Sequence, residues 1–218
     1  MCIRDRAIFP TSFKQLSEIL SGELPGWRAQ QKLSSVGYDT HRIPPSDAKQ
    51  AAVLALLYPD DSGALTTIFI KRPAHPHDKH SGQISFPGGQ VEQQDADLWQ
   101  TAIRECEEEL GIPREDIQRL GALSSVYVFV SRFQVYPFVG YLSVKPKLTI
   151  QESEVAYPIH TALSTLRLPP KTKSLQVRQD VTLKDVPYWD LNGDTLWGAT
   201  AMITSELIHL LLQPSSNS

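Results

Sequence analysis

The chain has 218 residues, 41% of them apolar and 21% charged, which is enough to bury a core in one domain with an added arm and excludes wholesale disorder. A formal charge of −3 carries no general bias toward nucleic acid or an anionic membrane, and no apolar run approaches the roughly 18 residues of a membrane span. Two cysteines, Cys2 and Cys106, cannot staple a small fold and read as free thiols in a reducing cytoplasm, and residues 1–10 lack the long apolar stretch of a secretory signal.

In chain order, residues 12–21 read as a short amphipathic helix. Phe13, Leu16, Ile19 and Leu20 share one face, Thr11 or Ser12 supplies the cap, and Gly22 ends it. Residues 23–50 hold Pro25, Pro44 and Pro45 and show no period. With the first helix they form an arm over 1–50 that packs on a domain spanning 51–213. Residues 51–58 and 64–71 flank the turn cluster Pro59-Asp60-Asp61-Ser62-Gly63 and read as a strand pair. Residues 75–80 are a polar loop, and 81–86 are extended until Pro87-Gly88-Gly89 breaks the run.

Residues 96–111 read as a helix, with Asp95 as its cap, Gly111 as a left-handed end and Pro113 just beyond. Residues 120–130 and 133–144 are rich in β-branched and aromatic side chains and read as strands. Residues 155–168 are mixed and include a short helix. Residues 181–189 and 195–197 flank the turn pair Asn192-Gly193, and 199–213 form a last helix before a frayed tail at 214–218. Strands and helices mix without a regular βαβ alternation, so the expected class is α/β (α+β), a mixed β-sheet between helices.

The most unusual segment is Arg104-Glu105-Cys106-Glu107-Glu108-Glu109-Leu110-Gly111-Ile112. At about 100° per residue, Glu105, Glu108 and Glu109 fall within about 100° of arc, with Trp99, Ala102, Ile103, Cys106 and Leu110 on the neighbouring arc. Like charges one turn apart destabilise a helix by a few tenths of a kcal/mol per pair. Either this is a solvated acidic face, or a hard divalent cation held by carboxylate oxygens offsets the repulsion. Gly88-Gly89 lies shortly upstream. Adjacent glycines make a tight turn, and they also let backbone N–H groups approach a phosphate.

Gly89, five residues, Asp95, eight residues and then Arg104–Ile112 together resemble the Nudix box, which runs Gly, five residues, Glu, seven residues, then Arg-Glu-apolar-any-Glu-Glu-any-Gly-apolar. Asp95 stands where Glu is usual and the second spacer is one residue longer. The nine-residue second half matches throughout if Cys106 counts as apolar. Both departures resemble the coenzyme A pyrophosphatase branch. So does Arg72-Pro73 followed by His80-Ser81-Gly82-Gln83-Ile84-Ser85-Phe86-Pro87-Gly88-Gly89. Further likeness lies in 134–140, 152–155 and 197–201, so the resemblance covers roughly residues 50–210.

The resemblance implies a Nudix fold and a set of roles. Glu105 and Glu109 ligate Mg²⁺ or Mn²⁺, and Glu108 completes the site as ligand or as the carboxylate that orients water. Arg104 orients the carboxylates by ion pairing. Asp95 either caps the helix or stands in for the first Glu of the box as a structural residue. Gly88 and Gly89 bring backbone near the diphosphate, and Arg72 and His80 contact the phosphates of coenzyme A or are simply solvated. Glu152 and Glu154, in a loop before Val155, are candidates for ligand or general base.

Other readings are weaker. His75, His77 and His80 resemble a zinc cluster, but Pro76 keeps the first two from converging. Cys106 fills an apolar slot and has no histidine partner, so it reads as core. Tyr127, Phe129, Phe133 and Tyr136 read as core strand residues ahead of an adenine platform. The expected activity is cleavage of the diphosphate of coenzyme A or a derivative to adenosine 3′,5′-bisphosphate and 4′-phosphopantetheine or its acyl form. The alternatives are another nucleoside diphosphate derivative, such as NADH or ADP-ribose, and a non-catalytic binding module on the same fold. The partner is a small molecule, with no nucleic acid and no membrane. A homodimer stays open.

Overall fold

The computed structural model describes residues 9–10, 12–35, 43–74, 81–178 and 181–212. Ser12 caps helix α1 (Phe13–Leu20) by accepting the Gln15 N–H, and Leu16 and Leu20 are its buried face. The stretch expected to be irregular contains a one-turn helix α2 (Trp27–Gln30) that runs into a 3-10 turn (Gln31–Leu33). Its pattern is too short for a period to register, and Ala29 and Leu33 anchor it in the core.

Strand β1 (Lys49–Pro59) is the spine of the main sheet. Its even-numbered side chains Ala52, Leu54, Leu56 and Tyr58 enter one core cluster, and Ala55 and Leu57 enter the other. β2 (Leu65–Lys71) pairs antiparallel with β1 only between Leu57 and Pro59. Beyond that point β3 (Ile84–Ser85) pairs with β2 and β4 (Gly88–Gln90) pairs with β1. The Pro87 carbonyl between them accepts the Leu54 N–H at 2.9 Å. The segment expected to break the extended run is therefore itself sheet. Glycines leave no side-chain alternation by which a strand can be read. Gly88 has φ 148°, and a Cβ there would collide with the Ala52 carbonyl and the Val53 backbone.

Helix α3 (Leu98–Leu110) lies over the Leu54 face of β1. The arc expected to face the core does so: Trp99, Ala102, Ile103, Cys106 and Leu110 are all buried. β5 (Gln118–Ala122) and β6 (Val126–Val128) replace the single strand expected over 120–130. The break falls where Ser124 turns its N–H and hydroxyl to Glu206. β7 (Phe133–Tyr141) runs parallel to β1 along its whole length, and β8 (Tyr157–Ala162) pairs antiparallel with β2. β9 (Lys171–Arg178), β10 (Val181–Leu191) and β11 (Asp194–Leu196) form a second, antiparallel sheet.

Helix α4 (Gly198–Leu211) is buried along nearly its whole length. With α1 and Trp189, Leu191 and Leu196 of the second sheet, it covers the other face of the main sheet. The protein is thus an α/β molecule with a mixed β-sheet between helices. Among the described residues no helix is long and apolar enough to cross a membrane.

One core expectation fails. Tyr127, Phe129, Phe133 and Tyr136 are all at least partly exposed, and Phe129 is 47% so. They lie toward the turn joining β6 and β7, whereas Val126 and Phe138, farther from it, are buried. Cys2, the histidines 75, 77 and 80, and the tail 214–218 lie outside the described residues.

Candidate active site

Asp97, not Asp95, caps α3: its carboxylate accepts the Gln100 N–H at 2.8 Å. At the other end Gly111 adopts φ 68° and donates to the Glu107 carbonyl, closing the helix in a left-handed turn. The helix carbonyls left open there are used by a distant segment. Thr149 N–H donates to the Leu110 carbonyl at 2.9 Å and Gln151 N–H to the Glu109 carbonyl at 3.0 Å. The loop then tightens, with Glu154 and Val155 N–H groups both donating to the Gln151 carbonyl, and Val155 is fully buried. This docking sets Glu154 against the acidic face of α3. One carboxylate oxygen from each of Glu105, Glu109 and Glu154 lies within 4.8 Å of the others.

Arg104 organises the neighbouring charges. It is 4% exposed and donates through Nε and Nη2 to both oxygens of Asp95, at 2.9 and 3.0 Å. Its Nη1 lies 2.9 Å from Glu108 and 3.0 Å from Glu105. Nη2 also reaches the Gln90 carbonyl at 3.3 Å. Asp95 further accepts the Thr101 hydroxyl and the Glu92 N–H. This Arg104 fork holds the Asp95 carboxyl well below the usual range, and the same pairing raises Arg104. Asp95 is therefore a structural anchor between the 90–95 loop and α3. Glu108 is half exposed and turned to Arg104, outside the group of three. Glu152 sits exposed on the loop, also outside it.

Of the three grouped carboxylates, Glu105 is held by Arg104 and Glu109 feels the charge of Arg72. Glu109 is 2% exposed, and its carboxylate accepts the Gly88 N–H at 2.9 Å. Burial pushes its carboxyl up to about 8; the Gly88 bond and the charge of Arg72 oppose the shift, while Glu105 and Glu154 add to it. Glu105 is raised too, mainly by burial, against the pull of Arg104. Gly89 lies directly under Glu105, where a Cβ would strike the carboxylate, so a larger residue would displace the end of the Glu105 side chain.

Three carboxylates crowded in a partly buried site suit a hard divalent cation, which takes oxygen ligands and lowers the cost of their repulsion. Mg²⁺ and Mn²⁺ fit this donor set, and no histidine or thiol is grouped with it among the described residues. Burial raises the Cys106 thiol strongly, as a core residue requires and a nucleophile does not.

In the sequence Glu152 and Glu154 are equivalent loop carboxylates. Only the docking of the loop on α3 separates them. Its missed signal is the cap itself, a helix end whose open carbonyls need donors from elsewhere.

A NUDIX domain profile matches residues 48–176. An uncharacterized Nudix hydrolase, NudL, of Pectobacterium atrosepticum is 34% identical over 173 residues, covering 76% of this chain and 87% of that protein. The NudL of a Yersinia pestis strain is 34% identical over 146 residues, covering 65% of this chain and 70% of that one. Among solved structures, a MutT/nudix family protein from Enterococcus faecalis superposes with TM-score 0.48 at 17% identity, over 91% of this chain and 73% of that one.

Proposed function

Because the chain belongs to the Nudix hydrolase family, we propose that it is a divalent-cation-dependent diphosphohydrolase that cleaves coenzyme A or a derivative to adenosine 3′,5′-bisphosphate and 4′-phosphopantetheine or its acyl form. The observation that carries the site reading is the convergence of Glu105, Glu109 and Glu154, with Glu109 buried and its carboxyl raised to about 8. The coenzyme A reading is supported by the likeness of the segment from Arg72 to Gly89 to the coenzyme A pyrophosphatase branch.

Glu105, Glu109 and Glu154 would hold Mg²⁺ or Mn²⁺. When bound, such a cation neutralises the diphosphate and lowers the pKa of an attacking water. The chain itself supplies position. Gly89 keeps the β4 backbone free of a side chain beneath Glu105, and Gly88 gives its N–H to Glu109. Arg72, whose charge acts on Glu109, would attract an anionic diphosphate. His80 is assigned to the same phosphate contacts on the resemblance alone. Arg104 acts through the carboxylates it grips and not on substrate, because its guanidinium is buried and committed to them. Glu108, half exposed and held at one oxygen by Arg104, would orient a water or complete the ligand set, and Glu152 would be a candidate proton acceptor. A cytoplasmic setting suits the unpaired, buried Cys106.

The test is a hydrolysis panel of coenzyme A, acyl-coenzyme A, NADH and ADP-ribose with Mg²⁺ or Mn²⁺. Release of adenosine 3′,5′-bisphosphate from coenzyme A in preference to cleavage of the others is expected. Preferred cleavage of NADH or ADP-ribose would replace the substrate assignment and keep the bond chemistry. Binding of coenzyme A without turnover would overturn the enzymatic reading.

A further inference from the structure

Beyond residues 48–176, which the NUDIX profile matches, the chain returns to the site through the second sheet. Asp194 opens β11 just past the Asn192-Gly193 turn. Its carboxylate accepts from Lys71 Nζ at 2.8 Å and from Tyr157 Oη at 2.9 Å. These two donors stand opposite each other in the register of β2 and β8. Lys71 is the last residue of β2 and immediately precedes Arg72. Tyr157 is the first residue of β8 and follows Glu154 by three positions. The same junction is closed by backbone bonds: Ala156 N–H donates to the Lys71 carbonyl at 2.8 Å, and Arg72 N–H to the Gln83 carbonyl at 3.0 Å. The Lys71 and Asp194 side chains are 23% and 18% exposed, so the pair is partly shielded from water.

We propose that Asp194 is a positioning residue for the active site. One carboxylate from the added sheet ties the end of β2 to the start of β8, and so holds Arg72 and Glu154 in place around Glu105 and Glu109. The inference rests on reading those glutamates as a divalent-cation site.

The asymmetry of the site makes the proposal specific. Glu105 and Glu109 ride on a thirteen-residue helix packed on the sheet, and the far side of the 149–156 loop is bonded to the carbonyls of that helix. The near side of the loop meets β2 through Ala156 and meets Asp194 through Tyr157. Losing Asp194 leaves the helix ligands where they are and loosens Glu154 and Arg72. A misplacement of about 1 Å can cost roughly a hundredfold in rate.

The experiment is Mn²⁺ titration of the full chain by electron paramagnetic resonance without substrate, alongside kcat and KM on whichever panel substrate is turned over. Asp194→Ala is expected to weaken Mn²⁺ binding about fivefold or more and to lower kcat/KM about tenfold or more, scaled from loss of an outer-shell partner of a ligand. Asp194→Asn keeps an acceptor for Tyr157 and should fall between Asp194→Ala and wild type. Tyr157→Phe should also be intermediate, and should add nothing in an Asp194→Ala background. Asp190→Ala is the control, because Asp190 braces the same hairpin through Gly193 N–H and faces Lys171, away from Lys71 and Tyr157. Its Mn²⁺ affinity should stay within about twofold of wild type.

Unchanged Mn²⁺ affinity and turnover in Asp194→Ala, with wild type binding Mn²⁺, would overturn this proposal alone. Equal weakening by Asp190→Ala would also overturn it, by showing general loosening of the hairpin. Failure of wild type to bind Mn²⁺ would overturn both this proposal and the cation site beneath it.

Discussion

Two glutamates are buried on opposite faces of the main sheet, and the fold treats them differently. Glu206 on α4 is fully buried, and its oxygens accept from Gly26 N–H, Gln30 Nε2, Ser124 N–H and Ser124 Oγ. Those donors come from the N-terminal segment and from the break between β5 and β6, so one carboxylate joins three parts of the chain. Glu109 on α3 is as deeply buried, yet beside the Gly88 N–H and the charge of Arg72 it meets two more carboxylates. A buried anion with a full set of donors is a structural joint. A buried anion crowded by like charges suits a divalent cation, the reading the proposed function makes of Glu109. Burial alone does not separate the two residues; the kind of neighbour does.

Three measurements probe that contrast. The largest effect belongs to Glu109→Gln, which keeps the shape and removes the charge. It should lower kcat/KM by about 10³ or more, the scale of several kcal/mol that a cation contributes to the transition state. It should not lower the stability of the metal-free protein at pH 8. Retained turnover would refute the site assignment.

Glu206→Ala should do the opposite. It strands four donors and should cost about 2–4 kcal/mol of stability in urea unfolding, with Mn²⁺ affinity close to wild type. An equally stable variant would erase the contrast between the two residues.

The smallest effect is a pH slope. The Glu109 carboxyl titrates near 4.5 in the unfolded chain and near 8 in the fold. Folding therefore favours its protonated form. That contribution is fully present below about pH 4.5 and is lost as pH rises through 8. The metal-free protein should lose about 1–3 kcal/mol between pH 5 and 8, and Glu109→Gln should flatten this part of the profile. Mn²⁺ should restore stability at the alkaline end, where the carboxylate is bare. Thermal melts across this range, with and without Mn²⁺, check the sign.

Much of α3 was readable in the sequence because a helix is a local object. Its period predicts which residues meet the core and which share the acidic face, and Gly111 predicts its end. The period does not say how three neighbouring carboxylates divide their work. The structure turns Glu108 to Arg104 and out of the group, while Glu105, which Arg104 also reaches, stays grouped with Glu109 and Glu154, since Asp95 and the 90–95 loop place the guanidinium on one side of the helix. The cap was misread for a related reason. Asp95 and Asp97 are equally good caps by composition, and only the position of Arg104 draws Asp95 away.

The sequence by itself determined the chemistry on offer: an acidic helix behind a glycine pair, the resemblance to the Nudix box, and a near-neutral remainder once the acid of residues 104–116 is set apart. Tertiary structure alone decided the third carboxylate, the glycine pair as a strand between diverging β1 and β2, and the return of Asp194 to the ends of β2 and β8. The reason is the range of the forces involved. Helical period and turn preference act over a few residues and leave a mark in composition. The approach of Glu154 and Asp194 depends on backbone donors, open helix carbonyls and sheet register that meet only when distant segments have packed.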